Sequence, residues 1–189
     1  MTTHNFLSEG LSLEASLLFP EDAEKTSPGL VITHGFPTGE TGGANSPDTL
    51  PELAERISQE MGWVAMVPHL RGMGRSEGFF SLDGWREDLK SAVSYLSTFE
   101  EVGPIWLVGF GTGGALSLAA ASDDDRIKGV AALATPADFN DWAENPRRLL
   151  LYARDAGLIN DSSSLEDFDD WKSSLSKISA EKSAEIFSP

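Results

Sequence analysis

A chain of 189 residues, 40% apolar and 23% charged, has the length and composition of one globular domain. Its 30 acidic residues outweigh 14 basic ones, and the net charge of −16 argues against binding to nucleic acid or to an anionic membrane. There is no cysteine, no apolar run of about 18 residues and no basic-then-apolar start, so disulfides, a membrane helix and a secretory leader are not expected, and a cytoplasmic location is.

Residues 6–19 alternate weakly through Leu7, Leu11, Leu13, Ala15 and Leu17, which predicts two short strands about a turn at Ser8-Glu9-Gly10. A polar loop with Pro28 leads to Leu30-Val31-Ile32-Thr33, a short apolar run that reads as a buried strand ending at His34-Gly35. Residues 36–46 are glycine-rich and polar, hence a long loop. Leu50, Leu53, Ala54, Ile57 and Met61 then fall on one helical face, with Pro47 or Pro51 in the first turn and Gly62 as the stop. Residues 63–67 form the next buried strand and 68–80 a glycine-punctuated loop. Leu82, Trp85, Leu89, Ala92, Val93 and Leu96 mark a second amphipathic helix that ends before Gly103-Pro104. A strand over 105–108, an alanine-rich helix over 113–122 and a strand over 127–134 follow.

After Pro136 no strand is expected. Asn145-Pro146 is an N-cap followed by proline at the first helical position, opening a helix towards Gly157. Ser163-Ser164-Leu165-Glu166 reads as a capping box for a helix with Leu165, Phe168, Trp171, Leu175 and Ile178 on one face. The acids around it, Glu166, Asp167, Asp169 and Asp170, suit a helical first turn. The alternation defines an α/β fold, a mostly parallel, doubly wound sheet over residues 1–139, with a helical segment over 140–189 in the same structural unit. The strand at 127–134 is then an unpaired edge, which predicts a homodimer or a partner subunit covering it.

Ligands of such sheets bind at the carboxyl ends of the strands. Three loops leave such ends: His34-Gly35-Phe36-Pro37, His69-Leu70-Arg71-Gly72-Met73-Gly74-Arg75-Ser76, and Gly109-Phe110-Gly111-Thr112-Gly113-Gly114. Their order over roughly residues 10–138 resembles the α/β-hydrolase family of serine esterases and peptidases. In that family the first loop supplies an oxyanion-hole amide, the second runs Asp-x-Arg-Gly-x-Gly-x-Ser, and the third is the Gly-x-Ser-x-Gly nucleophile elbow. The resemblance implies hydrolysis of an ester, amide or thioester through an acyl-enzyme. It also implies oxyanion donors at the Phe36 and Thr112 amides, and a cap in the helices after Asn140.

The chain departs from the pattern at the reacting atoms. Gly111 stands at the nucleophile position, and His69 replaces the aspartate of the second loop. The family's acid and histidine follow the cap, whereas His4, His34 and His69 all precede the elbow and the chain stops after the helical segment. Glycine adopts the strained apex dihedrals without a side-chain clash, so the turn is expected to persist while its attacking oxygen is gone. Thr112, one residue into the helix, is no substitute. The expectation is a non-catalytic member or a piece of a longer protein, with a site for a small acyl or carboxylate ligand and no cofactor or metal.

Alternatives attach to the same residues. An active hydrolase could use groups outside the familiar triad, His69 serving as base for a water. Gly109, Gly111 and Gly114 satisfy the G-x-G-x-x-G dinucleotide fingerprint, but two strand–helix units precede them and no acid ends the next strand. His34 reads as a ligand or base, or as a residue that shapes its loop. A His34–His69 metal pair lacks a third ligand. Arg71 and Arg75 either hold a carboxylate or brace their loop. Trp142, Trp171 and Phe168 line a pocket or pack the helices on the sheet, with packing preferred. Gly113, Gly114 and Ala115 suit close helix–sheet approach.

Overall fold

Six strands form one mixed sheet in a computed structural model that describes residues 1–21, 26–37, 49–159 and 168–187. The strands are β1 (Thr2–Ser8), β2 (Leu11–Leu18), β3 (Ser27–Thr33), β4 (Val64–Pro68), β5 (Val102–Phe110) and β6 (Ile127–Leu133), in spatial order β1-β2-β4-β3-β5-β6. β4, β3, β5 and β6 run parallel, and the β1–β2 hairpin adds antiparallel to β4. The hairpin turn sits where the alternation places it. Glu9 and Gly10 both have positive φ, 48° and 84°, the two-residue geometry whose twist matches paired strands.

Helices cover both faces. α1 (Leu50–Met61) packs Leu50 and Ala54 against Leu30, Ile32, Ala65 and Val67 on one face. It carries Pro51 in its first turn and ends at Gly62, whose left-handed φ of 70° lets its N–H return to the Ser58 carbonyl at 3.1 Å. α2 (Leu82–Leu96) and α3 (Thr112–Ala121) cover the other face, burying Trp85, Leu89, Val93 and Leu116 against Val31, Met66 and Leu107. The Ser81 hydroxyl caps α2 by accepting from the Gly84 N–H at 3.2 Å.

Several elements differ in extent from the sequence expectation. β1 begins at Thr2, and β5 begins at Val102, passing through Gly103-Pro104. The register between β3 and β5 shifts between Ser27 and Gly29, and that irregularity accommodates a proline that has no amide to give. Asn145 precedes α5 (Pro146–Asp155) as expected, but its side chain makes no cap. It turns back instead, and Nδ2 donates to the Asp141 carbonyl at 3.3 Å in the preceding short helix α4 (Asn140–Glu144). The capping box at 163–166 and most of the loop at 36–46 lie outside the described residues. α6 (Phe168–Ser174) buries Trp171, and Leu175 and Ile178 are buried beyond its end.

One helix has no counterpart in the sequence reading. α7 (Ala180–Ile186) returns to the body of the domain and packs on α3. The Ala180 N–H donates to the Ala137 carbonyl at 2.8 Å, and Ser179 bridges Asp138. This explains α3, whose sequence TGGALSLAAA offers no polar face: sheet, α2 and α7 enclose it on three sides.

Candidate functional site

β5 enters a sharp turn at Gly111, where φ is 54° and ψ −121°, and α3 begins at the next residue. The Gly111 N–H donates to the Leu133 carbonyl at 2.8 Å and the Gly114 N–H to the Gly111 carbonyl at 3.0 Å, so the corner is held by both the neighbouring strand and the helix. Positive φ favours glycine here, but the space around it is open: a side-chain β-carbon on Gly111 would have only the Gly35 Cα nearby, at 3.9 Å. The neighbouring glycines are different. A β-carbon on Gly109 would overlap the Gly113 carbonyl, one on Gly113 the His34 carbonyl, and one on Gly114 the Thr135 hydroxyl. Those three positions are glycine because α3 lies directly on the ends of β5, β3 and the segment after β6, the close approach the sequence suggests for Gly113 and Gly114.

The loop after β3 runs along this corner. A β-carbon on Gly35 would stand 2.9 Å from the Phe110 carbonyl oxygen. Phe36 follows, half-buried, with its ring 5.2 Å from those of both Phe80 and Trp142. Thr112 opens α3, and its N–H is one of the first-turn amides that no carbonyl of the helix can accept. Trp171 is 5% exposed and its Nε1 donates to the Phe80 carbonyl at 3.1 Å, while Phe168 stacks on Trp171 at 5.8 Å. With Trp142 against Phe36, these aromatic residues pack the helical segment onto the core.

The histidines occupy three environments. His4 lies on the outer strand β1, its Nδ1 3.0 Å from the Tyr95 hydroxyl. His34 is completely buried; its Nδ1–H donates to the Gly35 carbonyl at 2.8 Å and its ring meets Trp85 edge-on at 5.2 Å. Burial pushes this imidazole down to about 4; the Gly35 hydrogen bond opposes the shift and the facing His69 adds to it. His34 is therefore neutral in the folded protein at neutral pH and shapes its loop. In the unfolded chain it titrates near 6.5, so the unfolded state binds the extra proton first. Stability should be fully present above about pH 6.5 and fall as pH drops towards 4, by on the order of 3 kcal/mol from this residue. Urea titrations of the wild type and His34→Gln at pH 7 and 4.5 check this, and the gap between the two proteins should narrow in acid.

His69 follows β4 and has a carboxylate near it that the sequence does not reveal. Its Nδ1 stands 3.9 Å from Glu14 Oε1 on β2, and Arg75 Nε holds Glu14 Oε2 at 3.0 Å. Arg71 is fixed on wholly buried Asp88, with Nη2 donating to Oδ1 at 2.7 Å and the Arg71 backbone N–H donating to Oδ2 at 2.8 Å. Arg71 also reaches Glu9 at 2.8 Å. Both arginines thus hold carboxylates of the protein itself. Among the described residues no three metal-ligating side chains converge on one point, and no helix is long and apolar enough to cross a membrane.

A strand of the sheet that breaks sharply into a buried helix, beside a His-Gly-Phe loop at the same edge, is the core architecture of an α/β hydrolase. The comparison with known families agrees: residues 28–157 match the alpha/beta hydrolase fold, and the chain belongs to that family. It is 33% identical over 137 residues to the polyketide transferase ATR5 of Stachybotrys chlorohalonatus, covering 69% of this chain and 43% of that protein. It is 30% identical over 122 residues to the quorum-quenching protein AidA of Acinetobacter baumannii, covering 61% of this chain and 38% of that one. Among solved structures, it superposes on Est1E of Butyrivibrio proteoclasticus with a TM-score of 0.64 at 23% identity, covering 75% of this chain and 56% of that chain. GrgF of Penicillium sp. sh18 gives 0.63 at 26%, covering 79% and 52%. The chain spans about half the length of the relatives it matches.

Proposed function

We propose that the elbow of this chain is an anion-binding cradle for a small acyl or carboxylate ligand and does not act as a serine-dependent hydrolytic centre. Gly111 carries this reading. The apex keeps the backbone bend that presents a nucleophile in the family, and it has no side chain. In this reading the donors are the Thr112 amide, which opens α3, and the Phe36 amide, which follows the Gly35 that lies against the corner; the N-terminus of α3 favours negative charge there. Of the rings beside it, Phe36 and Trp142 are half-buried and would flank the rest of an acyl group, with wholly buried Phe80 behind them. Est1E has been solved with ferulic acid, a carboxylic acid, bound, although at 23% identity that likeness extends to the fold alone.

A serine-reactive fluorophosphonate should leave the protein unlabelled, short-chain esters should not be turned over above background, and butyrate should bind saturably in calorimetry. Labelling of a serine would overturn the reading. A second reading takes His69, whose Nδ1 lies 3.9 Å from the Glu14 carboxylate, as the base for a water-mediated hydrolysis. Ester turnover without phosphonate labelling, lost in His69→Gln, would favour it.

A further inference from the structure

We infer that Ala134 is a positioning residue for the elbow, its left-handed backbone holding the segment after β6 as a clamp on both sides of the Gly111 apex, an inference that rests on the reading of the elbow as an anion cradle. Among the described residues, two that are not glycine have positive φ, Glu9 at 48° and Ala134 at 50°. Glu9 belongs to the two-residue turn of the β1–β2 hairpin, whose paired strands call for that geometry. Ala134 belongs to no hairpin. The β-carbon of an L-residue opposes this conformation, so it persists only where the contacts around it over-determine it.

Those contacts lie on either side. One residue before, the Leu133 carbonyl accepts from the Gly111 N–H at 2.8 Å. One residue after, Thr135 Oγ1 lies against Gly114, where a β-carbon would overlap it. That hydroxyl is sealed from solvent and has no hydrogen-bond partner among the described residues, so it fills space against the backbone of α3. Leu133 is tied into the sheet opposite Phe110, and three residues after Ala134 the Ala137 carbonyl accepts from the Ala180 N–H at 2.8 Å, at the start of α7. The chain is thus fixed on both sides. A single residue turns it from the apex of the elbow to the first turn of α3, and the left-handed conformation of Ala134 makes that turn.

The consequence falls on Gly111. A glycine has no side chain to restrict its dihedrals, so the φ of 54° and ψ of −121° at the apex are imposed from outside. Leu133 imposes them from the strand side, and the Gly114 N–H, donating to the Gly111 carbonyl at 3.0 Å, from the helix side. The ψ of Gly111 sets the plane of the next peptide, and that peptide carries the Thr112 N–H, one of the two donors of the cradle. Ala134 therefore aims an anion-binding amide that it does not touch.

Hydrogen exchange reads the apex directly. In Ala134→Val the branched side chain disfavours the left-handed region further, and the Gly111 amide should exchange about tenfold faster than in the wild type. The amide of buried Leu107, within β5, should keep its rate. Butyrate affinity in calorimetry should fall with the loss of protection at Gly111. Ala134→Gly takes the same φ without strain, so it should keep the protection and the affinity and raise the unfolding midpoint. Gly111 exchange that ignores Ala134→Val, faster exchange with unchanged butyrate affinity, or an Ala134→Gly midpoint at or below that of the wild type would each overturn the proposal. If Ala134→Val does not fold, the Ala134→Gly midpoint decides alone. A wild type that binds no butyrate would sink the cradle reading, and the Gly111 exchange rates would still decide whether Ala134 sets the apex.

Discussion

Asp88→Ala is expected to lower stability by about 3–5 kcal/mol, a fifth or more of what holds a typical domain together. Asp88 is wholly buried on α2, and its two oxygens accept from Arg71 Nε, Nη2 and backbone N–H at 2.7–3.1 Å. Removing the carboxylate leaves the Arg71 guanidinium, 12% exposed, with only solvent-facing Glu9 to answer its charge. The pair is a liability more than a net stabiliser: breaking one side of a desolvated ion pair strands the other. The neighbouring ion pair provides an internal control. Glu9 is 58% exposed, and Glu9→Ala should cost no more than about 1 kcal/mol. Urea unfolding of both variants separates the cases, with an unchanged slope and a large midpoint shift for Asp88→Ala alone. Equal, small shifts would mean that the Arg71 loop is not pinned to α2. Because Arg71 also offers its carbonyl to Trp85 Nε1 at 2.9 Å, loss of Asp88 should also loosen the rim that carries His69.

That network marks where the sequence stops being readable. Period-two alternation locates β1 and β2, short apolar runs locate the four parallel strands, and the three loops in order point to the family. Each of those signals is local. Asp88, by contrast, lies on a helix whose alternate face is polar and reads as one more solvated acid; only the fold brings Arg71, 17 residues earlier, across it. Glu14 meets His69 through the antiparallel register that sets Ala15 opposite Pro68, which no spacing along the chain encodes. α7 is not legible in the sequence because AEKSAEI, with small buried residues Ala180 and Ser183, lacks the large apolar repeat that announces a helix. Ala134, at a φ of 50° beside the elbow, is an alanine in a conformation that sequence assigns to glycine.

The elbow supplies the sharpest contrast. Gly113→Ala is expected to destabilise by about 3 kcal/mol or more, whereas Gly111→Ser, two residues away, should cost about 1–3 kcal/mol and keep the fold. A β-carbon on Gly113 overlaps the His34 carbonyl and approaches the Thr33 carbonyl oxygen to 2.7 Å. Both are backbone atoms at the end of a central strand, so no rotamer change relieves the contact; α3 would have to lift off the sheet. A serine at position 111 meets only the Gly35 Cα at 3.9 Å, and its cost is the left-handed backbone alone. Thermal unfolding of the two single variants tests this directly, and similar losses would mean that α3 is not seated on β3 as described. The serine variant carries a second expectation. With a hydroxyl restored at the apex but His34 buried and neutral, and His69 held between Glu14 and its own loop, ester turnover should stay at background. Turnover that rises on Gly111→Ser alone would show that a proton acceptor already faces the apex, and that this bend is one side chain away from catalysis.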